Sequence, residues 1–141
     1  MSPKNEKKRK IHKSRKIEVS RVAIKILRTL NDQEAFYFYE TIGKPTGENA
    51  KSLSDFLEKI KSVKLESILF HLQRKDFQNW IKKTLGDSKL AEKIGRISPS
   101  CDEKVRMRLR SLINNRIKEL RKTSPLKVIE DFVVTPLNST Q

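Results

Sequence analysis

The amino-acid sequence predicts a mainly α-helical protein: a compact domain of about five to six helices, with a short extended aromatic segment and a disordered basic N-terminal arm. Apolar residues recur at three- and four-residue spacing over most of the 141 positions, and helix-starting and helix-stopping residues separate these repeats. The N-terminus is instead crowded with Lys and Arg. We therefore expect an arm over residues 1–16, one helical domain over residues 17–134 and a tail over residues 135–141.

The basic arm has too few apolar residues to offset the conformational entropy that ordering costs, so alone it is expected to be disordered. Segments of this kind lie along phosphate backbones and position a protein there without reading the bases. The arm residues that we predict to contact phosphates are Lys7, Lys8, Arg9, Lys10, Lys13, Arg15 and Lys16.

A first helix is predicted from about residue 15 to residue 30. Its apolar stripe consists of Val19, Val22, Ala23, Ile26, Leu27 and Leu30. Arg21 falls away from the centre of this stripe, so the outer side of the helix extends the basic arm. Arg21 is therefore a further predicted phosphate contact.

Residues 36–39 form an aromatic run, Phe-Tyr-Phe-Tyr, with strand-like composition but no convincing partner strand. We interpret the run as an extended or single-turn segment whose Phe36 and Phe38 enter the core. In the alternative interpretation, Tyr37 and Tyr39 stack against bases, as aromatic side chains do in single-strand binders. Two nearby glutamates would repel a phosphate chain, which favours core packing.

A glycine-containing loop, IGKPTG, follows at residues 42–47. It lacks the residue spacing of a nucleotide-binding loop, so a tight turn is the better interpretation. Ser52 and Asp55 then form a capping box, which starts a helix that reaches about Val63. The apolar face of that helix consists of Phe56, Leu57 and Ile60.

Residues 65–94 are predicted to form three successive helices on which the rest of the chain docks. The first two have apolar faces at Leu65, Ile68, Leu69 and Leu72, and then at Phe77, Trp80, Ile81 and Leu85. Asp76 is expected to cap the second helix, Gly86 to end it in a left-handed conformation, and Asp87 to cap the third. The apolar face of the third helix consists of Leu90, Ala91 and Ile94.

The last helix is predicted to follow a capping box of Ser100 and Glu103 and to end near Lys122. Its apolar stripe consists of Val105, Leu109, Leu112, Ile113, Ile117 and Leu120. Lys and Arg occupy much of the remaining circumference, where they form either a second phosphate-contacting surface or a merely solvated face. The phosphate contacts that we predict on this helix are Arg106, Arg110, Arg121 and Lys122.

Residues 125–136 form one more apolar segment, predicted to be a helical turn followed by an extended tail. Packing on the domain itself is favoured, because exposed apolar stretches of this length are uncommon. A segment that did not pack there would be a docking peptide for a protein partner.

The distribution of charge leads to the functional hypothesis. Net charge is +15, and residues 1–28 hold 11 Lys/Arg against 2 Asp/Glu, whereas residues 29–100 hold 12 against 10. Such clustering is typical of polyanion binders. We expect a small protein that binds DNA or RNA through phosphate backbones without strong sequence specificity, on chromatin-type DNA or on structured or ribosomal RNA. The alternative is a helical protein-interaction module that uses residues 125–136, with the arm only localising it.

A catalytic or metal centre is not expected. The two histidines, His12 and His71, and the one cysteine, Cys101, do not have zinc-binding spacing, and a Cys101–His71 nucleophile pair would lack an orienting group. We therefore expect no enzyme activity, cofactor or small-molecule substrate. No stretch of the sequence suits a membrane span or a secretory signal, so we expect a cytoplasmic protein, associated with the nucleoid or the ribosome.

The stretch FYFYETIGKPTG, followed by SLSDFLEKI and KLESILFHLQRKDFQNWIKKTLGDSKLAEKI, resembles an uncharacterised family of small helical domains in archaeal and bacterial proteins. The resemblance covers about residues 36–94, and the Arg/Lys-rich final helix is expected to belong to the same unit. It implies a mostly helical domain and a prokaryotic source. It transfers no activity, because the function of that family is unknown, and the basic arm lies outside it.

Overall fold

The computed structural model describes residues 19–123. Its helices are α1 over residues 19–27, α2 (Leu53–Ser62), α3 (Leu65–Gln73), α4 (Asp76–Trp80), α5 (Ser88–Gly95) and α6 (Lys104–Thr123), and its strands are β1 (Phe36–Thr41) and β2 (Lys44–Ala50). A π-helical turn, Ile81–Leu85, continues α4. The predicted mainly helical domain is confirmed, while the basic arm and the C-terminal segment lie outside the described residues.

The aromatic run is one strand of a two-stranded antiparallel hairpin, so the prediction of an unpaired segment was wrong. Its partner, β2, includes residues 44–47 of the predicted tight turn, and the turn itself consists only of Ile42 and Gly43, which connect the two strands. Gly43 has a φ of 76° and Gly47, inside β2, a φ of 87°, which glycine adopts without strain. The register shifts twice along the pair, and β2 therefore lacks the alternating pattern of a regular strand.

A cluster of aromatic side chains lies where the hairpin packs against the helices. Phe36 and Phe38 enter the core from β1, as predicted, with their ring centroids 4.9 Å apart. Phe56 of α2 and Phe77 of α4 complete the cluster at 5.1 Å from each other. Trp80 is buried beside them, and its indole N–H donates to a backbone carbonyl at 2.8 Å, so its one polar group is satisfied.

Side chains of α3, rather than a third strand, bond the outer edge of β1. Ser67 Oγ donates to the Tyr39 carbonyl oxygen at 2.8 Å, and the Tyr39 N–H donates to His71 Nε2 at 2.8 Å. Both side chains are buried. The buried face of α3 therefore includes these two polar residues, whereas Leu65 and Leu69 of the predicted apolar stripe are only half-buried.

Three of the predicted helix ends are confirmed. Ser52 Oγ accepts a hydrogen bond from the Asp55 N–H at 3.0 Å, and Asp87 Oδ1 accepts one from the Leu90 N–H at 3.1 Å. Gly86 ends the π-helical turn in the left-handed conformation, with a φ of 85°. These contacts are local in sequence, which makes them readable from residue spacing.

Two of the predicted caps were wrong. Lys75, with a φ of 63°, precedes α4, and Asp76 is the first residue of the helix, with its carboxylate bonded to neighbouring side chains instead. At α6, the Lys104 N–H donates to Asp102 Oδ1 at 3.1 Å, and Ser100 lies before the start of the helix. In both cases, the residue that precedes or caps the first turn of the helix is not the predicted one.

Helix α6 packs against α2, and its predicted stripe is buried except for the half-buried Leu112. Helix α1 lies at the far end of α6, where Ser20 Oγ donates to the Thr123 carbonyl oxygen at 2.7 Å. Ala23 and Ile26 of α1 enter the core, as predicted. Val19 and other apolar residues of this helix are about half exposed, so the predicted stripe is only partly buried.

Candidate nucleic-acid interface

The structure describes five of the predicted phosphate contacts. The other seven, Lys7, Lys8, Arg9, Lys10, Lys13, Arg15 and Lys16, lie outside residues 19–123, as do residues 125–136 of the alternative partner-docking segment. The five described residues lie on α1 and α6: Arg21, Arg106, Arg110, Arg121 and Lys122.

Arg106 has a structural role, which conflicts with its prediction as a phosphate contact. Its guanidinium donates to the carbonyl oxygens of Ile60 at 2.8 Å and Val63 at 2.6 Å, and to the Glu103 carboxylate at 2.7 Å. The two carbonyls belong to the C-terminal end of α2, where backbone acceptors lack partners within the helix. Because these contacts occupy its donors, we exclude Arg106 from the candidate interface.

Arg110 lies in a groove between α2 and α6, which we call the α2–α6 groove. Its volume is about 370 Å³, and it is lined by Leu57, Lys61, Met107, Arg110, Ser111 and Asn114. Ammonium, guanidinium, hydroxyl and amide groups therefore converge there, and these are the groups that bond phosphate and sugar oxygens. Sequence reasoning missed Lys61 because the pairing of α2 with α6 leaves no signal in residue spacing, and it missed Ser111 and Asn114 because it relied on charge, which these side chains lack.

Three further predicted residues lie at one end of the domain. Arg121 Nη2 is 3.4 Å from Ser54 Oγ at the start of α2, and Lys122 is exposed beside it. Arg21 is exposed one position after Ser20, whose hydroxyl bonds the last residue of α6. Arg21, Arg121 and Lys122 are thus exposed near the contact between α1 and the C-terminal end of α6, and we call these three residues the end cluster.

Most of the basic side chains of α6 have no acidic partner among the described residues. Within residues 19–123, no carboxylate lies within 4.0 Å of Lys104, Arg108, Arg110, Lys118, Arg121 or Lys122. Glu119, which Arg116 and Lys89 contact, lies on the side that faces α5. The side-chain hydrogen bond from Lys89 and the nearby Arg116 lower the pKa of this carboxyl, so it stays ionised and paired.

Among residues 19–123, Arg116 is the one basic residue of α6 that pairs with a buried acid. Its guanidinium donates to Asp87 through Nε at 2.8 Å and through Nη2 at 3.2 Å, a two-pronged contact. The Asp87 side chain is 1% exposed. Because the same carboxylate caps α5, Arg116 joins α6 to the start of that helix and is unavailable to a ligand.

A second concave site lies beside His71, between the hairpin and helices α3 and α4, and we call it the hairpin cavity. Its volume is about 450 Å³, and Gly43 of the hairpin turn lies on its wall. His71 Nδ1 lies 2.9 Å from Asp76 Oδ2, while Nε2 accepts the Tyr39 N–H. The imidazole is therefore neutral, with its proton on Nδ1.

Asp76 orients the His71 ring, so the expectation that this histidine lacks an orienting group was wrong, but both ring nitrogens are already occupied. Burial lowers the pKa of His71 below its usual value, against the opposing effect of Asp76. Because the lone pair of Nε2 already accepts the Tyr39 N–H, the ring has no free lone pair with which to activate the exposed Cys101. Within the described part of the chain, no group of three or more His, Cys, Asp and Glu residues is arranged to hold a metal ion.

Comparison with known proteins gives a family. The sequence model of a family described as "Family of unknown function (DUF5752)" matches residues 33–139, well over half of the chain. The chain belongs to this family. The DUF5752 range contains the hairpin, helices α2–α6 and both concave sites, and it extends beyond the resemblance expected over residues 36–94. Helix α1 and the basic arm precede the DUF5752 range.

No curated protein and no solved structure matches the chain. No helix over residues 19–123 has both the length and the apolar character needed to cross a membrane.

Proposed function

We propose that this protein binds nucleic acids through their phosphate backbones, without strong sequence specificity. The contacts come from the basic arm over residues 1–16, the α2–α6 groove and the end cluster. The observation that carries the proposal is the row of α6 cations that have no carboxylate partner among the described residues. DNA of the nucleoid and structured or ribosomal RNA in the cytoplasm are the corresponding targets.

The basic residues on the rest of the described surface differ from those of α6, because many of them have an acidic partner. Many exposed lysines elsewhere are compensated by an acid, for example Lys44 by Glu40 at 2.9 Å and Lys51 by Asp32 at 2.7 Å. The sequence from residue 104 to residue 118 contains no acidic residue at all. Binding is favourable when protein cations replace the counterions condensed on a phosphate chain, because those counterions are released. A row of cations without acidic partners is therefore a favourable place for the chain to bind.

Of the two groove cations, only Lys61 has an acidic partner within the part of the chain that the structure describes. It bonds Glu58 at 2.8 Å, and both side chains are well exposed. Exposed pairs of this kind are worth roughly 0–1 kcal/mol, so a phosphate can displace the carboxylate at little cost. The groove hydroxyl and amide, from Ser111 and Asn114, can donate to the same backbone.

The proposal is tested by reversing charge within the interface. The full chain is titrated by fluorescence anisotropy against labelled duplex DNA and a folded RNA, and compared with the double variant Arg110→Glu/Arg121→Glu. We expect affinity to fall by at least roughly tenfold for both nucleic acids, since two phosphate contacts are lost and two repulsions gained.

The matched control is Lys82→Glu/Lys83→Glu. It makes the same change in net charge at two exposed positions of the π-helical turn. A loss of affinity much smaller than that of the interface variant is expected. An equal loss would show that only total charge matters and would overturn the assignment of the α2–α6 groove and the end cluster.

A further inference from the structure

The hairpin cavity has aromatic walls that remain accessible from outside. Tyr37 and Tyr39 of β1 and Phe70 of α3 line it, and the Tyr37 side chain is 46% exposed. The alternate residues of the same strand, Phe36 and Phe38, already fill the core. A volume of about 450 Å³ falls in the range of small-ligand pockets, and aromatic faces of this kind stack flat rings.

Hydrogen bonds hold polar groups of the cavity in place, and the acceptor that remains available suits a ligand with N–H donors. Asp76 Oδ2 accepts from His71 Nδ1 at 2.9 Å and from Arg74 Nε at 3.2 Å. These bonds orient the carboxylate, and Oδ1 of Asp76 makes no hydrogen bond with the described residues. Asn79, exposed on the same wall, adds an amide that both donates and accepts.

The charges of the cavity exclude an ionic guest. A phosphate inside it would meet the Asp76 carboxylate, and a cation would be repelled by the Arg74 guanidinium, which lies over one face of Phe70, 5.1 Å from the ring centroid. A flat, neutral group bearing N–H donors fits the interior. The half-exposed Arg74 lines the cavity and the exposed Lys75 follows it in the chain, so these two cations can hold an anion attached to that group.

In the sequence, the glutamates that flank the aromatic run are the reason to doubt base stacking here. In the structure, both glutamates lie beside cations. Glu40 bonds Lys44 at 2.9 Å and Lys64 at 3.1 Å, and these two hydrogen bonds hold the pKa of Glu40 below its usual value. Glu34 lies 3.6 Å from Arg28, the residue that follows α1. Both carboxylates are thus locally compensated, and their repulsion of a phosphate chain is reduced.

We propose that the hairpin cavity holds one unpaired base of a single-stranded nucleic acid. The base stacks against Tyr37 and Phe70, its N–H groups donate to Asp76 Oδ1, and its backbone phosphate lies at Arg74 and Lys75. This inference rests on the proposed function and narrows it, because it requires a target with unpaired bases. Single-stranded and looped nucleic acids are therefore preferred over uninterrupted duplexes.

The test uses the full chain and a short single-stranded oligonucleotide that carries a central 2-aminopurine, a base whose fluorescence falls when it stacks on an aromatic ring. Anisotropy of an end label reports binding, and 2-aminopurine emission reports stacking. The expected result is binding accompanied by quenching. In the variants Tyr37→Leu and Phe70→Leu, quenching should be lost and affinity should fall on the order of tenfold, as when one stacking partner is removed.

Matched controls are Tyr37→Phe and Phe70→Tyr, which keep the rings and should keep the quenching. A duplex of the same sequence reports the phosphate contacts alone, and its affinity should be unchanged by the two leucine variants. Binding of the single strand without quenching, or quenching that survives both leucine variants, would overturn the proposal that the hairpin cavity holds a base. The proposed function would be unaffected. Failure of both the single strand and the duplex to bind would overturn both proposals.

Discussion

The Tyr39 amide and His71 Nε2 are joined by a hydrogen bond of 2.8 Å, through which a helix side chain takes the place of a third strand. Ser67 completes the substitution by donating to the carbonyl oxygen of the same residue. Asp76 holds the imidazole in the tautomer that can accept. Two polar side chains of α3 therefore close the edge of the hairpin, and one of them, His71, also lines the adjacent cavity.

Replacing His71 by alanine should destabilise the domain. The substitution leaves the Tyr39 N–H without its partner and opens a void beside the aromatic cluster, so we expect a loss of about 2–4 kcal/mol in the free energy of unfolding. Urea denaturation followed by circular dichroism measures it. Ser67→Ala, which removes one hydroxyl, should cost less, about 1–2 kcal/mol. A His71→Ala loss below about 0.5 kcal/mol would contradict the structural role of this bond.

Stability should fall on acidification through the titration of His71. Burial lowers its pKa in the folded state below the ordinary value of 6.5, so just below pH 6.5 the unfolded chain binds more protons than the folded one. The contribution is fully present above pH 6.5 and is lost as pH falls towards the folded-state pKa. Urea midpoints between pH 8 and pH 5 should show this slope, and it should be reduced in His71→Gln. Equal slopes in the two proteins would contradict the prediction.

Removing the buried partner of Arg116 should be among the costliest single changes. Asp87→Ala strands a guanidinium that is 12% exposed and removes the cap of α5, for an expected loss of about 3–5 kcal/mol. Thermal and urea unfolding both measure it. The control is Glu92→Gln, which breaks an exposed pair with Arg96 and should cost less than about 1 kcal/mol. Similar losses in the two variants would mean that the buried pair has no special weight.

Replacing Arg106 or Arg110 by alanine should have different effects: the first on the stability of the domain and the second on nucleic-acid binding. Arg106→Ala removes donors to two α2 carbonyls, so the free energy of unfolding should fall by about 1.5–3 kcal/mol. Arg110→Ala alters an exposed side chain, with an expected change in stability within about 0.5 kcal/mol. Only the second variant should weaken nucleic-acid binding under conditions where both proteins are folded. The opposite pattern would return Arg106 to the interface and remove Arg110 from it.

The features that the sequence predicted correctly are local ones. The stripe of α6 repeats over a helix of 20 residues, so its period is unambiguous. The caps at Ser52 and Asp87 bond amides three positions away. The burial of Phe36 and Phe38 followed from alternation within a single strand.

The features that the sequence did not predict depend on contacts between distant segments. Strand β2 contains glycine, proline and two register shifts, so neither composition nor alternation marks it as a strand. Arg106 looks like any other arginine of α6 until its acceptors, more than 40 positions away, are known. The groove partners Lys61 and Asn114 belong to different helices, and only the packing of α2 on α6 brings them together.

The central claim is that phosphate contacts dominate binding, and the salt dependence of affinity tests it most directly. Full-length protein is titrated by fluorescence anisotropy against duplex DNA and a folded RNA of similar charge at several salt concentrations. We predict a linear fall of log affinity with log salt, with a slope that corresponds to about five or more phosphate contacts, and a shallower slope after deletion of residues 1–16. A flat dependence, or no binding to either nucleic acid at moderate salt, would contradict the account.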